Sequence, residues 1–390
     1  MSGIYIHIPF CKSKCYYCDF YSVTKSDGQD RFVKTLLKEL AFRNDYLTNK
    51  QIDTIYFGGG TPTLLSPGQL EAILTRLKEL NEVAKDAEIT IEANPDDLHR
   101  QGLEQYRNIG FNRISIGTQS FFDEHLRLMN RRHDAAQAID AVRMAADSGF
   151  DNISLDLIYG IPGMNAIQWE HNLKVAAGLP ANHISAYHLT IEPGTRFGRL
   201  KKTGLFAEVP DEQSVEQYRM LLAILETNGF EQYEISNFAR KRRYSRHNTK
   251  YWTGDSYLGL GPSAHSFNGT QRHWNPASLT RYTEDINNRK LPRGETITPV
   301  MHRNEYVMTR LRTSRGIDSA DFKAEFGESG WFELLFMAEK HLMRGHLVLE
   351  DGRIRFHKEA WFHSDGILSD LFLIAGMSYL SMDEMFSDSL

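Results

Sequence analysis

The sequence has very few cysteines, no long apolar run and no excess of positive charge. Three cysteines in 390 residues are too few for a disulfide-stabilised scaffold. No apolar run approaches the roughly 20 residues that a helix needs to cross a bilayer, and no signal sequence is recognised. The net charge of −5 argues against binding of nucleic acid over the whole surface. We therefore predict a cytoplasmic protein, in a compartment that keeps thiols reduced.

All three cysteines lie in one short segment, HIPFCKSKCYYCDF. Cys11, Cys15 and Cys18 form a CxxxCxxC loop, and a disulfide would pair two of them and leave the third alone. Three soft thiolates suit a [4Fe–4S] cluster, in which one iron would keep an open position for a small molecule. A zinc site with His7 as the fourth ligand is the alternative that these residues leave open.

Short β-branched runs alternate with longer amphipathic runs through the first 240 residues. Strands that alternate with helices predict a parallel sheet with crossover helices. Because polar residues follow the first five strands, we expect an open or partial barrel of six strand–helix units, with its chemistry at the carboxyl ends of the strands. The predicted strands are residues 4–8, 53–57, 88–92, 112–117, 152–157 and 183–189.

Glycines and polar residues follow the predicted strands. The second strand leads into GGGTPTLL, residues 58–65, which lacks the lysine of a phosphate-binding loop and could be a simple glycine-rich turn. Later strands are followed by Glu92, Gln119, Arg131 and Asp156. Since each of these stands at a strand end, they predict one shared pocket.

Together these features resemble the radical S-adenosylmethionine (SAM) superfamily. The resemblance rests on the CxxxCxxC loop, on GGGTP and on the polar strand ends, and it covers about residues 1–240. It implies that the open iron of a cluster held by Cys11, Cys15 and Cys18 binds SAM. It also implies that one electron from the cluster can cleave SAM to methionine and a 5′-deoxyadenosyl radical.

Within this superfamily, the segments YIHIPFC, IEANP and DLIYGIPG resemble the branch of the oxygen-independent coproporphyrinogen III oxidases and the related heme chaperones. The pocket residues do not separate these two groups. By resemblance, the positions that contact SAM are Tyr5, Gly59, Gly60, Thr61 and Glu92. The positions that surround a second SAM in the oxidases are Tyr17, Gln119, Arg131 and Asp156.

Two departures from the oxidase pattern favour the chaperones. The oxidases carry a further cysteine two residues after the third, where this chain has Phe20. They also have a substantial N-terminal arm, whereas the first predicted strand begins here near Ile4.

The segment RHNTKYW contains HNxxYW, the heme-binding signature of the chaperones. The resemblance implies that His247 is the axial heme ligand, with Asn248, Tyr251 and Trp252 around it. A neutral imidazole is a good iron ligand, and aromatic rings pack well on a porphyrin. Without the resemblance, the residues themselves favour a structural role for His247 and a solvated loop for the basic run that precedes it. A basic run upstream could pair with the heme carboxylates, and consists of Arg240, Lys241, Arg242, Arg243 and Arg246.

The predicted function is that of a heme chaperone with a SAM-liganded cluster. Its partners would be heme-accepting proteins, respiratory ones among them, and an electron donor for the cluster. The alternative is an enzyme that oxidatively decarboxylates coproporphyrinogen III without oxygen. RNA modification is disfavoured, because the basic run is short and no basic surface is interleaved with aromatic residues.

The pattern changes after residue 250. Residues 251–267 are rich in glycine and aromatic side chains and predict an ordered loop, with His265 and His273 as structural histidines. Helical segments from about residue 300, followed by a hairpin at Asp-Gly, predict a small winged-helix-like domain. We therefore divide the chain into the barrel, 1–240, the heme-binding region and linker, 241–295, and the C-terminal helical domain, 296–390.

Overall fold

The computed structural model of the protein describes residues 1–24 and 27–374. The chain divides into two compact units, Met1–Thr296 and Ile297–Leu390. Within the described residues, no helix is both long enough and apolar enough to cross a membrane.

The first unit is built on one mixed sheet, which has twelve strands in the described residues. They are β1 (Ser2–Ile8), β2 (Gln51–Gly59), β3 (Glu82–Ala93), β4 (Arg113–Gln119), β5 (Ile153–Tyr159), β6 (His183–His188), β7 (Glu231–Glu234), β8 (Asn237–Ala239), β9 (Tyr257–Leu260), β10 (His265–Phe267), β11 (Gln271–Trp274) and β12 (Arg293–Thr296). Strands β1 to β6 are parallel neighbours in sequence order. This confirms the predicted partial (β/α)6 barrel.

Helices connect these strands and cover the sheet. Three of them begin with capping boxes, in which Ser66, Asp134 and Asn165 accept hydrogen bonds from backbone amides of the first turn. The helices of this unit are α1 (Gln29–Phe42), α2 (Pro67–Leu80), α3 (Arg100–Ile109), α4 (Asp123–Leu128), α5 (Ala135–Asp147), α6 (Ala166–Gly178), α7 (Arg196–Lys202), α8 (Asp211–Thr227), α9 (Arg246–Thr253) and α10 (Leu279–Asn287).

Strand β1 shows how the sequence separates the core from the inside of the barrel. Successive side chains of a strand point to opposite faces. Ile4, Ile6 and Ile8 are fully buried on one face. Tyr5 and His7 lie on the other face, which lines the barrel. The alternation therefore places apolar residues in the core and polar residues in the lumen.

Residues 251–267, predicted as an ordered loop, instead form the end of α9 and the strands β9 and β10. The two strands approach so closely at Gly259 that a Cβ there would lie 1.9 Å from the His265 carbonyl oxygen. The Arg43 guanidinium holds this crossing, since it donates to the Gly259 carbonyl and to the Ser266 hydroxyl, each at 2.9 Å. Arg43 directly follows α1, more than 200 residues earlier, so local sequence does not reveal the pairing.

The second unit combines helices with a small antiparallel sheet, in the order β13-β15-β14. Its elements are α11 (Pro299–Leu311), β13 (Ile317–Asp318), α12 (Ser319–Met343), β14 (Leu347–Glu350), β15 (Arg353–Phe356) and α13 (Ser364–Ser369). Asp351 and Gly352 join the hairpin with φ angles of 50° and 72°, as a type I′ turn requires. The predicted helical domain with a hairpin wing is thus present, while residues 375–390 of it lie outside the described residues.

Candidate functional site at the carboxyl ends of the strands

The three cysteines lie in the loop that follows β1, at the carboxyl edge of the parallel strands. Phe10 is fully buried just before Cys11, and its carbonyl accepts the Thr61 amide at 2.7 Å, which ties the loop to the end of β2. The Cys18 amide donates to the Cys15 carbonyl at 3.3 Å, so the second half of the loop is a tight turn. The position of Cys11 at the start of the CxxxCxxC segment is therefore fixed by buried Phe10.

The thiols are half-buried and differ in their partners. Burial raises the pKa of Cys11 and raises that of Cys18 to about 11. The Thr61 hydroxyl donates to Cys11 Sγ at 3.7 Å, and the Arg131 guanidinium donates to Cys15 Sγ at 3.3 Å. A metal that binds these sulfurs must displace their protons, and its own charge makes that favourable.

The cysteines fit a cluster better than a single ion. Among the described residues, no three His, Cys, Asp or Glu side chains are placed to hold one metal ion. His7, the alternative zinc ligand, has both ring nitrogens engaged: Nε2 lies 2.8 Å from the Tyr21 carbonyl oxygen and Nδ1 3.2 Å from the Tyr5 hydroxyl. In an iron–sulfur cluster each thiolate binds a different iron, so the ligands need not converge on one point.

A cavity of about 450 Å³ adjoins the cysteines. Residues from the carboxyl ends of successive parallel strands line it, as their positions after those strands led us to expect. The predicted residues in its lining are Cys11, Cys15, Tyr17, Cys18, Gly59, Gly60, Thr61, Glu92, Gln119, Arg131 and Asp156.

The glycines after β2 are required by packing against the end of β1. A Cβ at Gly59, whose φ is 101°, would lie 2.4 Å from the His7 ring, and one at Gly60 would lie 2.6 Å from the Phe10 carbonyl oxygen. Their amides already have acceptors, because Gly59 donates to Glu92 at 3.0 Å and Gly60 donates to the Ile8 carbonyl at 2.8 Å. A ligand can therefore approach the backbone of these glycines closely, but their amides are not available to donate hydrogen bonds to it.

Two buried carboxyl groups face the cavity. Burial, strengthened by the charge of Asp156, raises the pKa of Glu92 to about 7. Hydrogen bonds from the Tyr56 hydroxyl at 2.7 Å and from the Gly59 amide offset part of that effect. Burial likewise raises the pKa of Asp156 to about 6. A cationic ligand would stabilise both ionised carboxylates, so this side of the cavity is suited to positive charge.

Arg131 contributes a positive charge to the lining of the same cavity. It donates to Cys15, to the Asn94 side chain at 2.7 Å and to the Gly117 carbonyl at 2.7 Å. Its buried Nε has no hydrogen-bond partner among the described residues, and the side chain lines the cavity. Gln119 ends β4 with a φ of 64°, at an irregularity in the pairing with β5, a strained geometry often found at functional sites.

Further contacts clamp the cysteine loop to the strands. Lys12 pairs with Asp97, which follows β3. The Tyr16 amide donates to the Met129 carbonyl at 3.1 Å, and the Asn130 side chain donates to the Lys14 carbonyl at 2.9 Å. Met129 and Asn130, which directly precede Arg131, therefore help to hold the cysteine loop in place.

Tyr5, a predicted SAM contact, does not line the cavity and instead packs beside Tyr56 in the lumen. Their ring centroids are 6.0 Å apart, and the Tyr56 ring stacks on His247 at 5.2 Å. Tyr56 and Asn94 were missed in the sequence. Tyr56 occupies an inward position of the strand DTIYF, so the alternation could have found it.

His247 is buried, with 1% of its surface exposed. Its Nδ1 lies 2.9 Å from the Thr54 hydroxyl and its Nε2 3.0 Å from the Tyr251 hydroxyl. Burial, followed by the charges of Lys250 and Arg113, lowers the pKa of His247 to about 3, so the ring is neutral. Because both nitrogens have partners in this conformation, ligation of iron requires one of these hydrogen bonds to open.

Helix α9, which carries HNTKYW, lies at the amino ends of the parallel strands. Its residue Lys250 donates to the Met1 carbonyl at 3.1 Å, just before β1, whereas the cysteines follow the other end of β1. Seven residues of strand span about 20 Å. His247 and the cysteines therefore occupy opposite ends of the barrel.

The other residues of the motif shape this end. The Asn248 amide donates to the capping Ser245 hydroxyl, and Tyr251 packs edge-on against Tyr257 at 4.8 Å. Trp252 is half-buried on the same helix.

Most of the basic run is engaged in structural contacts. Arg240 donates to carbonyls at the end of α6, Arg243 pairs with Asp151 at 3.0 Å, and Arg246 pairs with Asp53 and Asp86. Lys241 and Arg242 are exposed and form a turn in which both φ angles are 56°.

His265 and His273 belong to the antiparallel extension of the sheet. His265 stacks on Trp274 at 6.1 Å, and His273 packs edge-on against Tyr46 at 5.4 Å. Neither belongs to the lining of the cavity beside the cysteines.

Comparison with known proteins identifies relatives over nearly the full chain. The family model of the radical SAM superfamily matches residues 5–176. The heme chaperone HemW of Bacillus subtilis is 35% identical over 88% of this chain and 93% of its own length, and that of Synechocystis is 33% identical over 95% and 96%. The solved structure of the Escherichia coli coproporphyrinogen III oxidase HemN has a TM-score of 0.82 at 24% identity, covering 95% of this chain and 89% of that one, and shares the fold.

Proposed function

Because this chain belongs to the HemW family of heme chaperones within the radical SAM superfamily, we propose that it binds heme and delivers it to acceptor hemoproteins. A [4Fe–4S] cluster on Cys11, Cys15 and Cys18, with SAM at the open iron, accompanies this function. The observation that carries the proposal is the position of HNTKYW at the far end of the barrel from the cysteines.

The cavity beside the cysteines has the charges that SAM requires. SAM carries an amino group, a sulfonium and a carboxylate. Glu92 and Asp156 suit the cationic groups, and the positive charge of Arg131 in the cavity lining suits the carboxylate. A cluster held by Cys11, Cys15 and Cys18 would, once reduced by one electron, cleave bound SAM to methionine and a 5′-deoxyadenosyl radical. We assign further SAM contacts to Tyr5, Tyr17, Gly59, Gly60, Thr61 and Gln119.

The separation of HNTKYW from the cysteine loop supports a carrier, which needs no contact between heme and cluster. Hydrogen abstraction needs the reacting atoms within about 3–3.5 Å of each other. A heme ligated by His247 at the amino ends of the strands would lie on the order of 20 Å from the cysteine loop. Binding and release of heme need no such contact. We assign the axial heme ligand to His247 and its surroundings to Asn248, Tyr251 and Trp252.

We further propose that the protein works in the cytoplasm, where thiols stay reduced. A reductant of that compartment would supply the electron to the cluster. The acceptors would be hemoproteins, including those of respiratory chains.

Heme titration under anaerobic conditions tests the proposal. The cluster is reconstituted, and the absorbance of ferric heme is followed in the wild type, in His247→Ala and in His183→Ala. His183 is the matched control, since it is fully buried and both its nitrogens are bonded, to Ser154 and Tyr233. We expect stoichiometric binding by the wild type and His183→Ala and loss of binding in His247→Ala.

The same preparation is then assayed with coproporphyrinogen III. If the protein decarboxylates coproporphyrinogen III and binds no heme, the proposed carrier function is wrong and the oxidase function is correct. Heme binding that survives in His247→Ala would remove this histidine as the ligand.

A further inference from the structure

Helix α9, Arg246–Thr253, closes the amino end of the barrel, and we name it the floor helix. The space between it and β1 is narrower than a methyl group. A Cβ at Gly3 would lie 2.9 Å from the Thr54 hydroxyl, 3.0 Å from Lys250 and 3.3 Å from the His247 ring. A porphyrin therefore has no room beside His247 while the floor helix is in place.

Polar contacts hold the floor helix closed. The Glu88 carboxylate accepts the first two amides of the helix, from Arg246 at 3.1 Å and from His247 at 3.0 Å. Lys250 pairs with Asp53 at 2.7 Å, with its side chain nearly buried. The positive end of the helix thus meets a buried carboxylate, which is a favourable arrangement.

The inward side of the floor helix covers aromatic surface. The His247 ring stacks on Tyr56 at 5.2 Å and lies 6.3 Å from Tyr5. If the floor helix moves away, the imidazole and the two phenol rings become accessible together. An iron ligand beside aromatic rings is what a heme site needs.

We propose that heme uptake proceeds through an open state, in which the floor helix leaves the barrel end. His247 exchanges its hydrogen bond to Thr54 for a bond from the freed ring nitrogen to iron, without any redox step. The inference rests on the proposed heme-binding function and adds that the heme site is cryptic. Since only the open state binds, the apparent affinity and the association rate rise with its population.

Removing one closing contact should speed heme uptake. Thr54→Val keeps the shape of the side chain but leaves His247 Nδ1 without its partner in the closed state. Loss of a buried hydrogen bond shifts such an equilibrium about tenfold. The matched control is Thr90→Val, a fully buried lumen threonine whose hydroxyl has no hydrogen-bond partner in the described part of the chain.

Stopped-flow mixing of the full chain with ferric heme measures the association rate. We expect a rate about tenfold higher in Thr54→Val and one within about twofold of the wild type in Thr90→Val. An unchanged or lower association rate in Thr54→Val would refute the proposal that heme uptake requires the floor helix to open.

Hydrogen exchange of the wild type provides a second test that needs no variant. The amides of Arg246 and His247 are protected by Glu88 in the closed state and should exchange faster once heme is bound, whereas those of α10 should not change. Heme binding with full protection of the floor helix would refute the cryptic site. A wild type that binds no heme would instead remove the proposed function itself.

Discussion

Glu92→Gln should stabilise the protein without cluster and ligand at alkaline pH, although Glu92 belongs to the candidate SAM site. Burial raises the pKa of Glu92 from about 4.5 to about 7, so the folded state holds this proton more tightly than the unfolded state. The stability that this affinity contributes is present below about pH 4.5 and is lost as the pH rises to 7. A glutamine does not ionise and avoids that loss.

The magnitude follows from the two pKa values. A difference from 4.5 to about 7, at about 1.4 kcal/mol per pKa unit, corresponds to about 3 kcal/mol at pH 8. Glutamine makes weaker bonds to the Tyr56 hydroxyl and the Gly59 amide, which costs about 1 kcal/mol. We therefore expect a net gain of about 2 kcal/mol at pH 8 and a loss of about 1 kcal/mol at pH 4.5.

Urea denaturation of the cluster-free protein, followed by circular dichroism at both pH values, measures this difference. The control is Glu71→Gln on the exposed face of α2, which should show no pH-dependent change. A difference between Glu92→Gln and the wild type that does not change with pH would refute the reasoning. So would a Glu92→Gln protein that is less stable at pH 8.

Three other substitutions test separate parts of the structure. Arg131→Met removes a charged donor from Cys15 Sγ and should lower the reduction potential of the reconstituted cluster by about 50 mV, as measured by a redox titration followed by electron paramagnetic resonance. Asp97→Asn removes the nearer of the two carboxylates that pair with Lys12 and should speed cluster loss to an iron chelator about fivefold. Gly352→Ala strains the hairpin turn, where φ is 72°, and should destabilise the second unit by about 1 kcal/mol in thermal unfolding.

Matched variants separate these effects from general damage. Arg132→Met should leave the potential unchanged, and Asp45→Asn, in an exposed ion pair, should leave cluster loss unchanged. Gly366→Ala, with open space around the new methyl group, should leave the second unit as stable as before. Equal effects in a variant and its control would contradict the corresponding prediction.

The parallel strands and the cavity could be predicted because their signals are local. Alternation in IYIHI and DTIYF separates core from lumen, and parallel strands bring their carboxyl ends to one edge. Glu92 and Asp156 come together for that reason. Their raised pKa values could not be predicted, since these depend on burial that only the folded barrel creates.

The state of the HNTKYW segment depends on distant residues. The pattern of His247 and its neighbours does not reveal that Thr54, on β2, occupies the Nδ1 nitrogen of the ring. Nor does it reveal that Glu88, about 160 residues earlier, holds the helix amides. Strands β9 and β10 were missed for the same reason, because Arg43, just after α1, holds them together.

Heme transfer tests the central claim most directly. The heme-loaded, cluster-reconstituted protein is mixed anaerobically with a heme-depleted b-type hemoprotein, and the absorbance of the acceptor is followed. The carrier function predicts that the acceptor regains its heme spectrum while the donor loses heme one for one, and that a His247→Ala protein treated in the same way transfers none. An acceptor that stays heme-free, while the donor retains its heme, would contradict the account.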